Sequence, residues 1–223
     1  MFATGNMKDE QLYKEYFFRL GCEQKNIKDY IAHIETADQL YYPIPYQFER
    51  LRDGSEVEIA GKRWDVIVGL GHSFEHASLY CAELEVLIAG DQVLPKITPT
   101  IMVPAFEPES NPLLDFLESN KKFLNLPNST VVLPSHNFPF MGLHERLNQY
   151  TAHHKDRLNI VLQACIKPLS GMEVSKILFT KELDSHGNFF AIGETMAHIK
   201  YLEHVGQLVC NEDKNGIERY CVA

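Results

Sequence analysis

The chain has 223 residues, 45% of them hydrophobic, enough to bury a core in one large domain or in one domain plus a small appendage. Its formal net charge of −9 argues against a dominant nucleic-acid surface, and no run of about 18 apolar residues marks a membrane span. Five cysteines (Cys22, Cys81, Cys165, Cys210, Cys221), odd in number and without C-x-x-C spacing, predict neither a disulfide framework nor a thiolate zinc site but small buried side chains in a reducing compartment. The N-terminal residues lack a basic stretch followed by an apolar one, so the expectation is a soluble, cytoplasmic protein with no membrane partner.

In chain order, residues 8 to 38 carry Leu12, Tyr16 and Leu20, then Ile27, Tyr30, Ile31 and Ile34, at helical spacing. A break at Gly21 and Cys22 predicts two helices with a bend, serving as packing surface. Tyr41 to Tyr46 is an aromatic, proline-rich connector that cannot be helical, because each proline also restricts the residue before it. It reads either as the lining of a substrate entrance or as a packed surface loop.

From Phe48 the period changes to two. Val57 and Ile59 alternate with acids, Gly61 and Lys62 make a turn, and Trp64, Val66 and Val68 continue the alternation, which predicts a β-hairpin. Strands over 63–69, 77–81 and 85–90 follow, punctuated by Gly71-His72-Ser73 and Gly90-Asp91. Residues 92–108, with four prolines, predict a loop over the sheet rim. Asn111-Pro112 opens a helix lined by Leu113, Leu114, Leu117 and Leu124 and stopped by Pro127, and a strand over 130–133 then leads to His136.

Three strand-end turns thus end on His72, Asp91 and His136. An acid directly behind the apolar run Leu87-Ile88-Ala89 is costly unless it is paired or binds a metal. Two imidazoles and a carboxylate suit zinc or a similar divalent ion. His76 lies four residues beyond His72 in a strand-like stretch, which leaves a ligand-supporting role, a substrate-facing role or plain exposure. Glu75 has no visible partner, His153-His154 reads as a solvated helix face, and His144, His186, His198 and His204 read as structural.

The C-terminal stretch reads as a separate unit. Leu147, Tyr150, Leu158, Val161, Leu162 and Cys165 mark a helix ended by Pro168. Ser170 and Glu173 have capping-box spacing, and Met196, Ile199, Leu202 and Val205 mark a third helix. Asn215-Gly216 between two short β-rich runs signals a hairpin. Three helices and a ribbon are winged-helix order. Residues 151–210 hold six basic and six acidic side chains, which disfavours DNA binding and suggests a lid or packing module.

The motifs GHS-x-x-H, the apolar strand ending in GDxVLP, and LPSHNxPFxGLHxRL resemble the third, fourth and fifth metal motifs of the metallo-β-lactamase superfamily. The tail resembles the C-terminal domain of one hydrolase branch. The resemblance implies an α/β fold: a partial αβ/βα sandwich over 1–146 and a small helical, winged-helix-like domain over 147–223. It also implies two zinc ions per site, with His72 on one, His136 on the other and Asp91 on both.

The superfamily's H-x-H-x-D-H motif is absent from this sequence, and His33 is the only histidine before His72. The chain is therefore expected to lack the first α/β half, to bind metal weakly, and to expose an apolar sheet edge. The implied function is metal-dependent hydrolysis of a small-molecule ester or thioester, weak or absent in the isolated chain. A complementing N-terminal segment or a homo-oligomer is the partner this implies. The alternative is a metal-free, non-catalytic interaction protein.

Overall fold

The computed structural model describes residues 10–39 and 47–223, so the aromatic connector over 41–46 lies outside the described residues. Among the described residues the architecture is mixed α/β, with six α-helices and a sheet core. By packing, the described residues divide into two compact units: residues 48–101 with 112–156, and residues 10–39 and 47 with 102–111 and 157–223. The N-terminal helices pack within the same unit as the C-terminal ones, and a single helix runs through residue 146 without a break.

The first unit is built on a five-stranded sheet in order β1 (Glu56–Ile59), β2 (Lys62–Gly69), β3 (His76–Cys81), β4 (Val86–Gly90) and β5 (Val131–Pro134). A two-residue loop, Ala60 and Gly61, joins β1 to β2 with φ of 53° and 73°. Positive φ at both central residues is the hairpin turn whose twist matches that of paired strands. β1 to β4 pair antiparallel, whereas β5 pairs parallel to β4 after a crossover through α3 (Pro112–Asn120) and a 3₁₀ turn (Lys121–Asn125).

Strand direction decides where the site falls. β2, β4 and β5 run the same way, so the residues that leave their C-terminal ends emerge along one edge of the sheet. His72, Asp91 and His136 are those residues, and His76 opens the antiparallel β3 at the same edge.

One face of the sheet is closed. The cross-strand row Tyr80, Leu87 and Val132 is 7%, 0% and 0% exposed, and Leu113, Phe116, Leu143 and Tyr150 are buried in the same unit. On the other face the row Leu79, Ile88 and Leu133 is only partly covered, with Ile88 39% exposed. The outer edge of β5 is instead bridged by Phe140, whose backbone exchanges two hydrogen bonds with Val132 of 2.8 and 3.0 Å. β1 forms the opposite edge, and its Ile59 is 44% exposed.

The second unit contains α1 (Glu10–Arg19), α2 (Gln24–Gln39), the end of α4 (Leu143–Ala164), α5 (Gly171–Leu178), α6 (Ser185–His204) and the ribbon of β6 (Leu208–Glu212) and β7 (Glu218–Val222). α6 buries the stripe of Ile192, Met196, Ile199 and Leu202 and also Gly193, Ala197 and His198 on its other sides, so most of its circumference is covered. The bend between α1 and α2 falls at Gly21, which has φ of 81°. A β-carbon there would stand 2.8 Å from Ser170 Oγ, so both conformation and space require glycine. Ser170 and Glu173 form the capping box that their spacing predicts.

Candidate functional site

Two glycines deliver the site residues. Gly71 precedes His72 with φ of 93°, and a β-carbon on it would lie 2.4 Å from the Pro112 carbonyl and 2.5 Å from Phe116 Cβ. Gly90 precedes Asp91 with φ of 52°, and its β-carbon would lie 2.6 Å from the His76 ring. Both turns therefore exclude side chains twice over, by backbone conformation and by crowding. The rim loops are anchored from below. Leu70 N–H donates to Ser119 Oγ at 2.9 Å, and the buried Gln92 side chain donates to Asn120 Oδ1 at 2.8 Å.

The structure brings His72, Asp91 and His136 together. Asp91 stands between the imidazoles, with Oδ2 3.5 Å from His72 Nε2 and Oδ1 3.3 Å from His136 Nε2. Two donors held on one tetrahedral zinc, each about 2.0–2.1 Å from it, are about 3.3–3.4 Å apart, so each oxygen-to-nitrogen gap matches a shared metal position. Among the described residues, no three His, Cys, Asp or Glu side chains form a closed metal cage. The two facts agree. The carboxylate turns one oxygen to each histidine, so the side chains meet as two oxygen–nitrogen pairs and not as one set of three.

The surroundings fix the rings. His72 Nδ1 lies 2.8 Å from the Thr100 carbonyl, which can only accept, so Nδ1 carries the proton. In the neutral ring the lone pair of Nε2 then faces a carboxylate oxygen. That contact is repulsive unless a cation or a proton lies between them. Histidines that ligate metals commonly donate their other ring N–H to a carbonyl in this way.

Thr100 is held in turn by the loop over 92–101. The Tyr150 hydroxyl accepts from Leu94 N–H at 2.7 Å and donates to Leu94 O at 2.8 Å, and Arg146 donates to the carbonyls of Leu94 and Ile97. This segment is the loop over the rim that its prolines suggest, and it buries Val93, Leu94 and Ile101, so it is a packed strut.

His76 supports Asp91. Its Nε2 accepts the Asp91 backbone N–H at 3.2 Å, and burial, reinforced by nearby His72, lowers its pKa and favours the neutral ring that can accept. Ser135 Oγ donates a short hydrogen bond to Asp91 Oδ1, and Ser135 N–H donates to Gly90 O at 3.0 Å.

Sequence reasoning singled out neither Ser135 nor Thr100 for a role. Adjacency to His136 was a usable signal for Ser135. None existed for Thr100, which acts through its carbonyl from 28 residues away.

Other assignments change. Glu75 has a partner, since Arg50 Nε donates to it at 3.0 Å. His154 is 1% exposed and packs against Phe116 with ring centroids 5.9 Å apart, so it belongs to the core and not to a solvated face. His144 and His198 have the structural roles expected, bonded to the carbonyls of Leu126 and Glu194.

A sheet whose C-terminal edge gathers these motifs is the metallo-β-lactamase arrangement, and comparison with known proteins agrees. The model of the metallo-beta-lactamase superfamily matches residues 8–136, and that of the metallo-beta-lactamase-like C-terminal domain matches residues 158–223. The chain belongs to the metallo-beta-lactamase superfamily.

Among solved structures it is similar to a beta-lactamase domain protein from Burkholderia ambifaria, at 38% identity and a TM-score of 0.88, over 93% of this chain and 60% of that one. It is also similar to a metallo-beta-lactamase family protein from Thermus thermophilus, at 31% identity and a TM-score of 0.70, over 86% of this chain and 65% of that one. The chain thus spans less than two thirds of either protein's length. No curated protein gives a significant match. No helix among the described residues is long and apolar enough to cross a membrane.

Proposed function

We propose that this chain carries the distal part of a dinuclear zinc hydrolase centre, with His72 on one metal position, His136 on the other and Asp91 bridging them. The single observation behind this reading is the placement of the Asp91 oxygens, one toward each imidazole, with the His72 lone pair turned inward. Zinc held there would supply Lewis acidity and lower the pKa of a water to about 7. The chain's own residues do the rest. Thr100 O orients His72, while Ser135 Oγ and His76 hold the Asp91 carboxylate and backbone.

Phe74, Phe138 and Met141 are 46%, 80% and 63% exposed in the loops that carry His72 and His136, an apolar flank suited to the acyl portion of a small ester or thioester. Two donors per position fall short of the three that catalytic zinc usually takes from protein. Full activity therefore requires donors from a complementing segment or another polypeptide, and the isolated chain is weakly active or inactive.

The test is zinc uptake by the purified, untagged chain after equilibration with zinc and removal of the excess. His33 is replaced by Ala throughout, so that only this centre is counted. Asp91→Asn should lower zinc affinity at least about tenfold while shifting stability by less than about 1 kcal/mol. Equal zinc in the Asp91→Asn variant and its parent, both folded, would overturn the assignment. A panel of thioesters, esters, lactones and β-lactams assayed with zinc then ranks substrates. The second reading, a metal-free interaction protein, is favoured by the half-open face around Ile88 and by the lack of a closed three-donor cage among the described residues.

A further inference from the structure

Within the helical unit, two more imidazoles meet. His33, in the middle of α2, and His186, in the first turn of α6, place their Nδ1 atoms 3.2 Å apart, with ring centroids 4.3 Å apart and planes at 84°. Each comes from a separate, well-anchored helix. Asp184 caps α6 by accepting from Gly187 N–H at 2.7 Å, and Ser185 Oγ donates to Asp29 Oδ2 at 2.9 Å. Asp29 lies one helical turn before His33 on α2, so that its carboxylate stands on the same side of the helix as the imidazole. Phe189 packs against Phe17, Tyr30 and His33 at 6.1, 5.9 and 5.1 Å and fixes the approach of the two helices.

We propose that His33 and His186 form a two-imidazole chelate for a divalent transition-metal ion of the zinc or copper type, with Asp29 as the adjacent carboxylate, clipping α2 to α6. Two nitrogens bound to one tetrahedral zinc are about 3.3–3.4 Å apart, close to the separation found. Imidazole and carboxylate are the donors that such ions take, and both His186 and Asp29 are exposed, so an ion has a path from solvent. Burial and the neighbouring His186 lower the pKa of His33, which keeps that ring in the neutral form that ligation needs. Among the described residues the cluster is not a closed three-donor cage, because Asp29 is turned to Ser185. Ligation by Asp29 would exchange that hydrogen bond for a metal bond. The competing account is a hydrogen bond between the rings with no metal.

The experiment uses the untagged full chain carrying His72→Ala and His136→Ala, which removes the sheet-edge donors, and titrates it with zinc chloride in a calorimeter. One zinc per chain is expected. His33→Gln or His186→Gln, checked for folding by circular dichroism, should weaken binding at least about tenfold. Asp29→Asn should weaken it less. A copper(II)-loaded sample should show two nitrogen ligands by electron paramagnetic resonance, and the His186→Gln sample only one. Absence of zinc binding in the double-alanine chain, or binding unchanged by both glutamine variants, would overturn the proposal. Neither result bears on Asp91, because the sheet-edge site is absent from the parent.

Discussion

The two units hold their histidines by different physics. In the sheet unit, His72 and His136 hang from turns that end parallel-running strands, and each meets the same carboxylate. In the helical unit, His198 is fully buried and spends its Nδ1 on the carbonyl one turn back in its own helix, while His33 and His186 meet only because two helices pack. A strand-end turn aims a side chain through a backbone that has almost no freedom. A helix face aims one through packing, which can yield by a rotamer. Rigid delivery suits chemistry, and the glycines that deliver His72 and Asp91 should therefore tolerate substitution far less than a glycine in a helix does.

The largest expected effect tests that contrast directly. Gly71→Ala adds a β-carbon against the Pro112 carbonyl, in a backbone conformation with φ of 93°, and neither wall is a flexible side-chain end. Strain and overlap together should cost about 3 kcal/mol or more, read as a lower urea midpoint. Gly171→Ala, the matched change in the helical unit, meets Met196 Sδ at 3.0 Å, the mobile end of a side chain, at the first position of α5. Helix propensity offsets the crowding there, and the change should stay within about 1 kcal/mol. Equal destabilisation by the two would remove the distinction between strand-end turn and helix.

Tyr150→Phe comes next. It deletes a hydroxyl that serves both the N–H and the carbonyl of Leu94; Arg146 still donates to the carbonyl, so one buried main-chain N–H is left unpaired at a cost of about 1–3 kcal/mol. Because the same segment carries Thr100 O to His72, zinc affinity should also fall in this variant. Loss of stability with zinc binding untouched would mean that the strut does not position the ring.

The contrast also explains what could be read from sequence. Glycine before His72 and before Asp91, at the ends of β-rich runs, is a local signal with a local cause, and it located the rim. The Ser170 capping box was legible for the same reason, and so was the hairpin turn, although it falls at Ala60-Gly61, one residue before the Gly61-Lys62 that the sequence suggests.

Packing partners were not. That residues 10–39 pack in the unit of residues 157–223, that His154 is core, and that the proline-bearing segment over 92–101 is a buried strut all depend on contacts between residues far apart in sequence. The pairing of His33 with His186 spans 153 residues and has no counterpart in periodicity or spacing.

The smallest effect concerns the junction where α5 begins. Hydrogen bonding from the Ser170 backbone, then from the Ser170 side chain and Arg219, lowers the pKa of Glu173 below its ordinary value of 4.5. A carboxylate with a depressed folded-state pKa stabilises the fold above its unfolded pKa, and that contribution disappears as pH falls through the folded value. Since the Glu173 side chain is 48% exposed, solvent screening limits the contribution to a few tenths of a kcal/mol, roughly the lower range for surface ion pairs. Glu173→Gln keeps a side-chain acceptor for the Ser170 N–H but does not titrate. Urea melts at pH 7 should therefore find the wild type slightly more stable than Glu173→Gln, with the gap closing below the ordinary carboxylate range. A gap of the same size at pH 3 would show that the box acts by geometry alone, in which case this helix start is held as rigidly as the strand-end turns of the other unit.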